Sequence, residues 1–155
     1  MSKNILLCGN PNVGKSSLYN ILTKSHEHTG NWTGKTVEIT SKAIKNTDYK
    51  LIDLPGIYSL SSLSDEEIVA RNTMYFTEYE KIIYVCDASN LEKNLNLLLQ
   101  ISEINKNIIL CLNMVDELKS KQINIEVDLL KKILGIEVIE CSTKSNIGIY
   151  TLLRS

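Results

Sequence analysis

Three short segments of this 155-residue chain place chemically capable residues at defined spacings. Gly9-Asn10-Pro11-Asn12-Val13-Gly14-Lys15-Ser16 fits the spacing G-x-x-x-x-G-K-[ST]. Its glycines let backbone N–H groups turn inward around a polyanion, and a helix opening at its end adds a positive dipole terminus. Lys15 can reach the terminal phosphates, and the Ser16 hydroxyl suits Mg²⁺; Ser17 continues the same contact stretch. Asp53-Leu54-Pro55-Gly56 matches D-x-x-G. Its carboxylate would hold Mg²⁺ through water, and the Gly56 N–H would meet a γ-phosphate. Asn113-Met114-Val115-Asp116 matches N-x-x-D. Guanine presents two donors side by side, the ring N1–H and the exocyclic amino group, and one carboxylate at Asp116 accepts both. Adenine lacks that pair and would leave the acid unsatisfied, at a cost of about 1–3 kcal/mol. The spacing therefore points to GTP and GDP rather than ATP.

Two weaker signals take meaning from their place in this order. Cys141-Ser142-Thr143-Lys144 follows the last apolar run, where backbone N–H groups at Ser142 and Thr143 could meet the guanine oxygen. Thr36 ends a polar loop and is a further Mg²⁺ candidate, one that reaches the metal only when a γ-phosphate draws the loop inward. Met114 stands where many guanine sites carry a lysine stem. It gives apolar contact without charge, so loose binding and fast GDP release are expected.

The elements that must position these groups follow from the pattern of apolar residues. Asn4–Cys8 reads as a strand ahead of the first motif and Lys15–Lys24 as a helix behind it. Ser25–Lys35 reads as loop. Thr36–Ile44 and Tyr49–Leu54 read as a hairpin joined by Asn46-Thr47-Asp48. Pro55–Ser64 is loop, and Ser64 with Glu67 marks a helix start. Ile82–Cys86, Ile108–Leu112 and Ile136–Cys141 are buried strands; Leu91–Ile104 and Val127–Leu134 are helices, the second stopped by Gly135. Gly148–Leu153 begins a last helix, short enough to suggest a piece of a longer protein. Strands apolar on both faces and separated by helices imply a mostly parallel sheet covered on two sides, with one antiparallel strand at its edge.

Composition excludes several classes. The net charge of −1 leaves no broad basic face for nucleic acid. Cys8, Cys86, Cys111 and Cys141 lie far apart in apolar runs, which reads as buried reduced thiols. No stretch has the length of a membrane span. The chain's only arginines are Arg71 and Arg154.

The segments above, with Gly30-Asn31-Trp32-Thr33-Gly34-Lys35-Thr36-Val37-Glu38, Ile57-Tyr58-Ser59-Leu60 and Asp65-Glu66-Glu67-Ile68-Val69-Ala70-Arg71-Asn72, resemble the N-terminal G domain of the ferrous iron transport protein B family. The Gly-Asn-Trp stretch and Met114 are the most family-specific parts. Thr33, Lys35 and Thr143 depart from the residues usual there. The resemblance implies an α/β fold of the P-loop GTPase (Ras-like) type: six strands, mostly parallel, one antiparallel at the edge, helices on both faces. It implies one G domain over residues 1–155, at the cytoplasmic face of a bacterial inner membrane. A helical domain that slows GDP release and a transmembrane domain would be its partners.

Catalysis is the puzzle. Ile57 occupies the place after D-x-x-G where many GTPases have a water-orienting glutamine, and no arginine is expected near the loop motifs. The resemblance implies K⁺ instead, held by Asn12 and loop carbonyls, with water placed by backbone near Trp32 and Thr33. Lys15, Thr36 and Gly56 complete the expected catalytic set. Glu66 and Glu67 suit the helix dipole as well as any switch role. His26 and His28 form an H-x-H pair that could bind iron or simply face solvent. Three alternatives stay open: a ribosome- or tRNA-maturation GTPase, a GDP-binding module without hydrolysis, and an ATP-using kinase disfavoured by Asn113 and Asp116.

Overall fold

A computed structural model describes residues 3–23, 39–61 and 63–154. Strand β1 (Lys3–Gly9) is the axis of the molecule. It pairs in parallel with β3 (Tyr49–Asp53) on one side and β4 (Lys81–Asp87) on the other. Beyond β4 come β5 (Ile108–Asn113) and β6 (Glu137–Glu140), both parallel. Beyond β3 lies β2 (Thr40–Ala43), antiparallel, so the sheet order is β2-β3-β1-β4-β5-β6.

Alternation along each strand separates two cores. Ile5, Leu7, Leu51, Ile83, Val85, Ile109 and Ile139 face α1 (Lys15–Thr23) and α6 (Ile149–Arg154), meeting Leu18, Leu22 and Leu152. Leu6, Cys8, Ile52, Ile82, Tyr84, Leu110 and Val138 face the other way. There they pack on α2 (Asp65–Phe76), α3 (Leu91–Ile104) and α5 (Val127–Leu134) through Ala70, Met74, Leu97, Ile101 and Leu130. Burial on both faces explains why the central strands are unbroken apolar runs rather than alternating ones.

The local signals act where the spacing puts them. The Ser64 hydroxyl caps α2 by accepting from the Glu67 N–H at 3.3 Å. Gly135 closes α5 in the left-handed region at φ +67°. The 44–48 turn closes through Ile44 N–H to the Tyr49 carbonyl at 2.8 Å, with Asn46 at φ +61°. The hairpin is shorter than expected: β2 begins at Thr40, Ile39 lies outside it, and 36–38 are outside the described residues. One helix lies outside the sequence expectations, α4 (Asp116–Ser120). Its five residues hold one apolar side chain, Leu118, too few to show a helical period. The four cysteines are buried and free. No described helix is long and apolar enough to cross a membrane. An apolar hollow among Ile5, Leu22, Ile44, Tyr49 and Leu152 lies at the strands' N-terminal ends, away from the motifs.

Candidate functional site

All three loop motifs leave the carboxyl ends of strands in one sheet: the first after β1, D-x-x-G after β3, N-x-x-D after β5. A crevice beyond those ends is where a parallel sheet binds ligands.

The first loop needs its glycines for two different reasons. A Cβ on Gly9 would stand 2.5 Å from the Val85 carbonyl oxygen, so β4 backbone closes on it. Gly14 lies at φ +85°, and a Cβ there would stand 2.2 Å from Asn113 Nδ2. Asn12 also takes a positive φ, +65°, and is exposed. Lys15 is buried, its ammonium paired with the Asp53 carboxylate and donating to the Leu54 carbonyl at 2.6 Å. Ser16 and Ser17 open α1 beside it. The thiol of Cys8, just below, is pushed up to about 12 by burial, with the nearby Lys15 ammonium pulling the other way.

The D-x-x-G turn folds directly onto this loop. Ile57 N–H donates to the Gly9 carbonyl at 3.2 Å and Leu54 N–H to the Leu7 carbonyl at 3.1 Å. Gly56 lies flat against Pro11; a Cβ would come within 3.1 Å of the proline Cα. Ile57 is buried in the core. The expectation that no arginine lies near the motifs needs correcting. Arg71 donates to the Leu60 carbonyl at 2.9 Å, within the loop that follows D-x-x-G, and so is engaged with backbone. Sequence spacing carries no hint of this return from α2.

The N-x-x-D end is wired by side chains. Asn113, buried, donates from Nδ2 to the Val13 carbonyl at 2.9 Å and accepts from the Thr143 N–H at 3.2 Å. Met114 sits at φ +65°. Val115 N–H donates to the Cys141 carbonyl at 3.2 Å. Asp116 is exposed, with Oδ1 accepting from the Ser142 hydroxyl at 2.8 Å; Ser142 Oγ in turn accepts from the Ser145 N–H at 3.1 Å. The Ser142 N–H goes to the Ile147 carbonyl at 2.9 Å. The amides at Ser142 and Thr143 are thus both used inside the protein. Among the described residues, the Lys144 amide in that turn has no partner in the chain. One contributor escapes the sequence reading, Ser142 as a side-chain partner of Asp116; at Gly148 φ is +76° and a Cβ would stand 2.0 Å from the Glu140 carbonyl oxygen. The spacing from Asp116 to Ser142 has no periodic signature; Gly148 alone is visible, as a helix boundary.

Thr36, Trp32, Thr33, His26 and His28 lie outside the described residues. Among the described residues no cluster of three or more His, Cys, Asp or Glu could hold a metal. Asp53 and Ser16 supply a carboxylate and a hydroxyl close to Lys15, a hard-oxygen set of the kind Mg²⁺ takes.

The family model described as ferrous iron transport protein B matches residues 3–155. This chain belongs to the ferrous iron transport protein B family. The Fe(2+) transporter FeoB of Campylobacter jejuni is 40% identical over 152 residues, which are 97% of this chain and 25% of that protein. The Helicobacter pylori transporter is 40% identical over 143 residues, 91% of this chain and 22% of its own length. The chain therefore spans about a quarter of the curated relatives it matches. The S. thermophilus NFeoB structure bound to mGMPPNP superposes with a TM-score of 0.89 at 41% identity, covering 98% of this chain and 59% of that one. The same relative bound to GDP.AlF4⁻ and K⁺ gives 0.90 at 41%, covering 98% and 60%. These relatives share this chain's six-stranded fold, which is that of the P-loop GTPases.

Proposed function

We propose that residues 1–155 are the GTP-binding and GTP-hydrolysing G domain of a bacterial ferrous iron transporter. The observation that carries this reading is the junction at Asn113. One amide side chain ties Val13 of the phosphate loop to Thr143 of the last loop, next to an exposed acid held by Ser142. A ligand spanning that junction has phosphates at one end and a paired donor edge at the other, which is a guanine nucleotide. The relatives crystallised with GMPPNP and with GDP.AlF4⁻ support it.

Within this reading Gly9, Asn10, Pro11, Asn12, Val13, Gly14, Lys15, Ser16 and Ser17 wrap the phosphates. Lys15 exchanges Asp53 and Leu54 for phosphate oxygens, a swap of oxygen acceptors around the same ammonium. The Gly56 N–H is presented to the γ-phosphate by the Ile57–Gly9 hydrogen bond. Asp116 accepts from the base, and Met114 supplies an apolar edge. Ser16, Asp53 and Thr36 would hold Mg²⁺, which neutralises charge on the β- and γ-phosphates. Asn12, exposed and left-handed, would hold K⁺, an ion with which a relative is crystallised. That cation would supply the positive charge that Arg71, engaged with backbone, does not. In the full-length transporter the domain would sit at the cytoplasmic face of the membrane, beside a helical domain controlling GDP release and a transmembrane domain.

Calorimetry with GDP and Mg²⁺ tests the first part, and heat with GDP but not ADP is expected. Phosphate release from GTP should be several-fold faster in KCl than in NaCl, with Asn12→Asp altering that ratio. GDP binding without phosphate release would instead make the chain a regulatory binding module, and equal heats from ADP would remove guanine selection.

A further inference from the structure

The loop behind the D-x-x-G turn is held hard at one residue. Leu60 N–H donates to Gln100 Oε1 on α3 at 2.8 Å, and its carbonyl accepts from Arg71 on α2 at 2.9 Å. Gln100 Nε2 reaches Ser61 Oγ at 3.2 Å, and the Ser61 N–H donates back to Ser59 Oγ at 3.0 Å. The Leu60 side chain is buried in the core between sheet and helices. Both polar backbone atoms of one buried loop residue are therefore satisfied by side chains of two different helices, so losing either partner leaves a buried backbone group unpaired. On the near side of Leu60 the loop is different. Tyr58 is 66% exposed and borders a cleft of about 210 Å³ among Pro55, Gly56, Ile57, Ser64, Glu66 and Glu67.

We propose that Gln100 and Arg71 are positioning residues for the hydrolytic reaction, an inference that rests on the GTPase reading above. They make Leu60 a fixed pivot, so that rearrangement on γ-phosphate binding is confined to Gly56–Ser59. Four residues of chain span at most about 14 Å. A pivot that close limits where the Gly56 N–H can stand and keeps the turn in register with Pro11. Arg71 spends its charge on a carbonyl within this pivot. It acts on the reaction through the loop rather than by touching phosphate.

Four variants separate this from a merely structural role. Gln100→Leu removes donor and acceptor at similar size, and Gln100→Glu keeps the acceptor for Leu60. Arg71→Met removes the guanidinium, and Arg71→Lys keeps one donor. Single-turnover GTP hydrolysis should fall about three- to tenfold in Gln100→Leu and Arg71→Met, the loss expected of one hydrogen bond. GDP affinity should stay within about twofold, and Gln100→Glu and Arg71→Lys should recover most of the rate. Amide exchange read without nucleotide should show Leu60 protected in the wild type and in Gln100→Glu, and exposed in Gln100→Leu. The proposal is overturned by wild-type hydrolysis in Gln100→Leu, by GDP affinity falling in step with the rate, or by a GTP analogue changing exchange at Leu60 and Ser61 as much as at 56–59. A wild type that binds no guanine nucleotide removes the GTPase reading instead, while the exchange comparison still judges the pivot.

Discussion

At the phosphate end of the crevice the chain's charged groups occupy one another, with Lys15 on Asp53 and Leu54 and Gly56 resting on Pro11. At the base end the polar groups are already set by hydrogen bonds, Asn113 between Val13 and Thr143 and Asp116 against Ser142, with the acid still exposed. In the proposed reading the first end must exchange partners to bind, and the second needs only to receive. An ammonium paired with a carboxylate is stable without ligand yet yields to a polyanion, because the phosphate oxygens that arrive satisfy the same buried charge. A carboxylate meant to discriminate two purines gains from being oriented beforehand, since its selectivity comes from leaving the wrong base unpaired. Asn113 joins the two ends through its two hydrogen bonds.

The largest effect should come from disturbing that point. Gly14→Ala puts a side chain at φ +85° and a methyl 2.2 Å from Asn113 Nδ2, an atom tied to Val13 and belonging to a side chain also tied to Thr143. Destabilisation of about 3 kcal/mol is expected, a fall in Tm of roughly 6–12 °C, with GDP binding lost. Differential scanning fluorimetry with and without GDP reads both. A wild-type Tm would mean the two ends are less tightly joined than their hydrogen bonds indicate. Next comes the base end alone. Ser142→Ala frees one oxygen of Asp116 and the Ser145 N–H; GDP affinity should drop about fivefold, the worth of the first hydrogen bond, and Tm should fall by about 2–4 °C for the second. A drop in Tm without a drop in affinity would make the Ser142–Asp116 contact a scaffold rather than a preset of the acid.

The smallest effect concerns the thiols within the sheet. Cys8 under the phosphate loop and Cys86 on β4 are both pushed up to about 12 by burial, from an ordinary 9.0. A folded value above the unfolded one means the folded state keeps more protons between the two. The thiols' contribution to stability is therefore level below pH 9 and lost as pH rises towards 12. Urea midpoints should be insensitive to these groups at pH 7–8 and fall above about 9, less steeply in Cys86→Ala. An unaltered slope in that variant would place the alkaline loss on other groups.

The motifs are legible because each depends on local chemistry at fixed spacing. Gly14, Lys15 and Ser16 must be contiguous to cradle phosphate, and Asp116 must follow Asn113 by three. Leu91–Ile104 and Val127–Leu134 are legible because helical periodicity survives burial on one side. The short α4 is not, since five residues with one apolar side chain carry no period. Contacts between distant residues leave no trace either. Gln100 and Arg71 are 40 and 11 positions from Leu60, and Ser142 is 26 from Asp116.

By itself, then, the chain's order of residues determined the sheet, its covering helices and the three loops at its edge, because apolar period and glycine placement act over a few residues. Only the packed structure decided that Lys15 rests on Asp53, that Asn113 joins two loops and that Arg71 grips backbone. Those are choices among partners brought together by closing the sheet, and hydrogen-bond geometry across that closure has no counterpart along the chain.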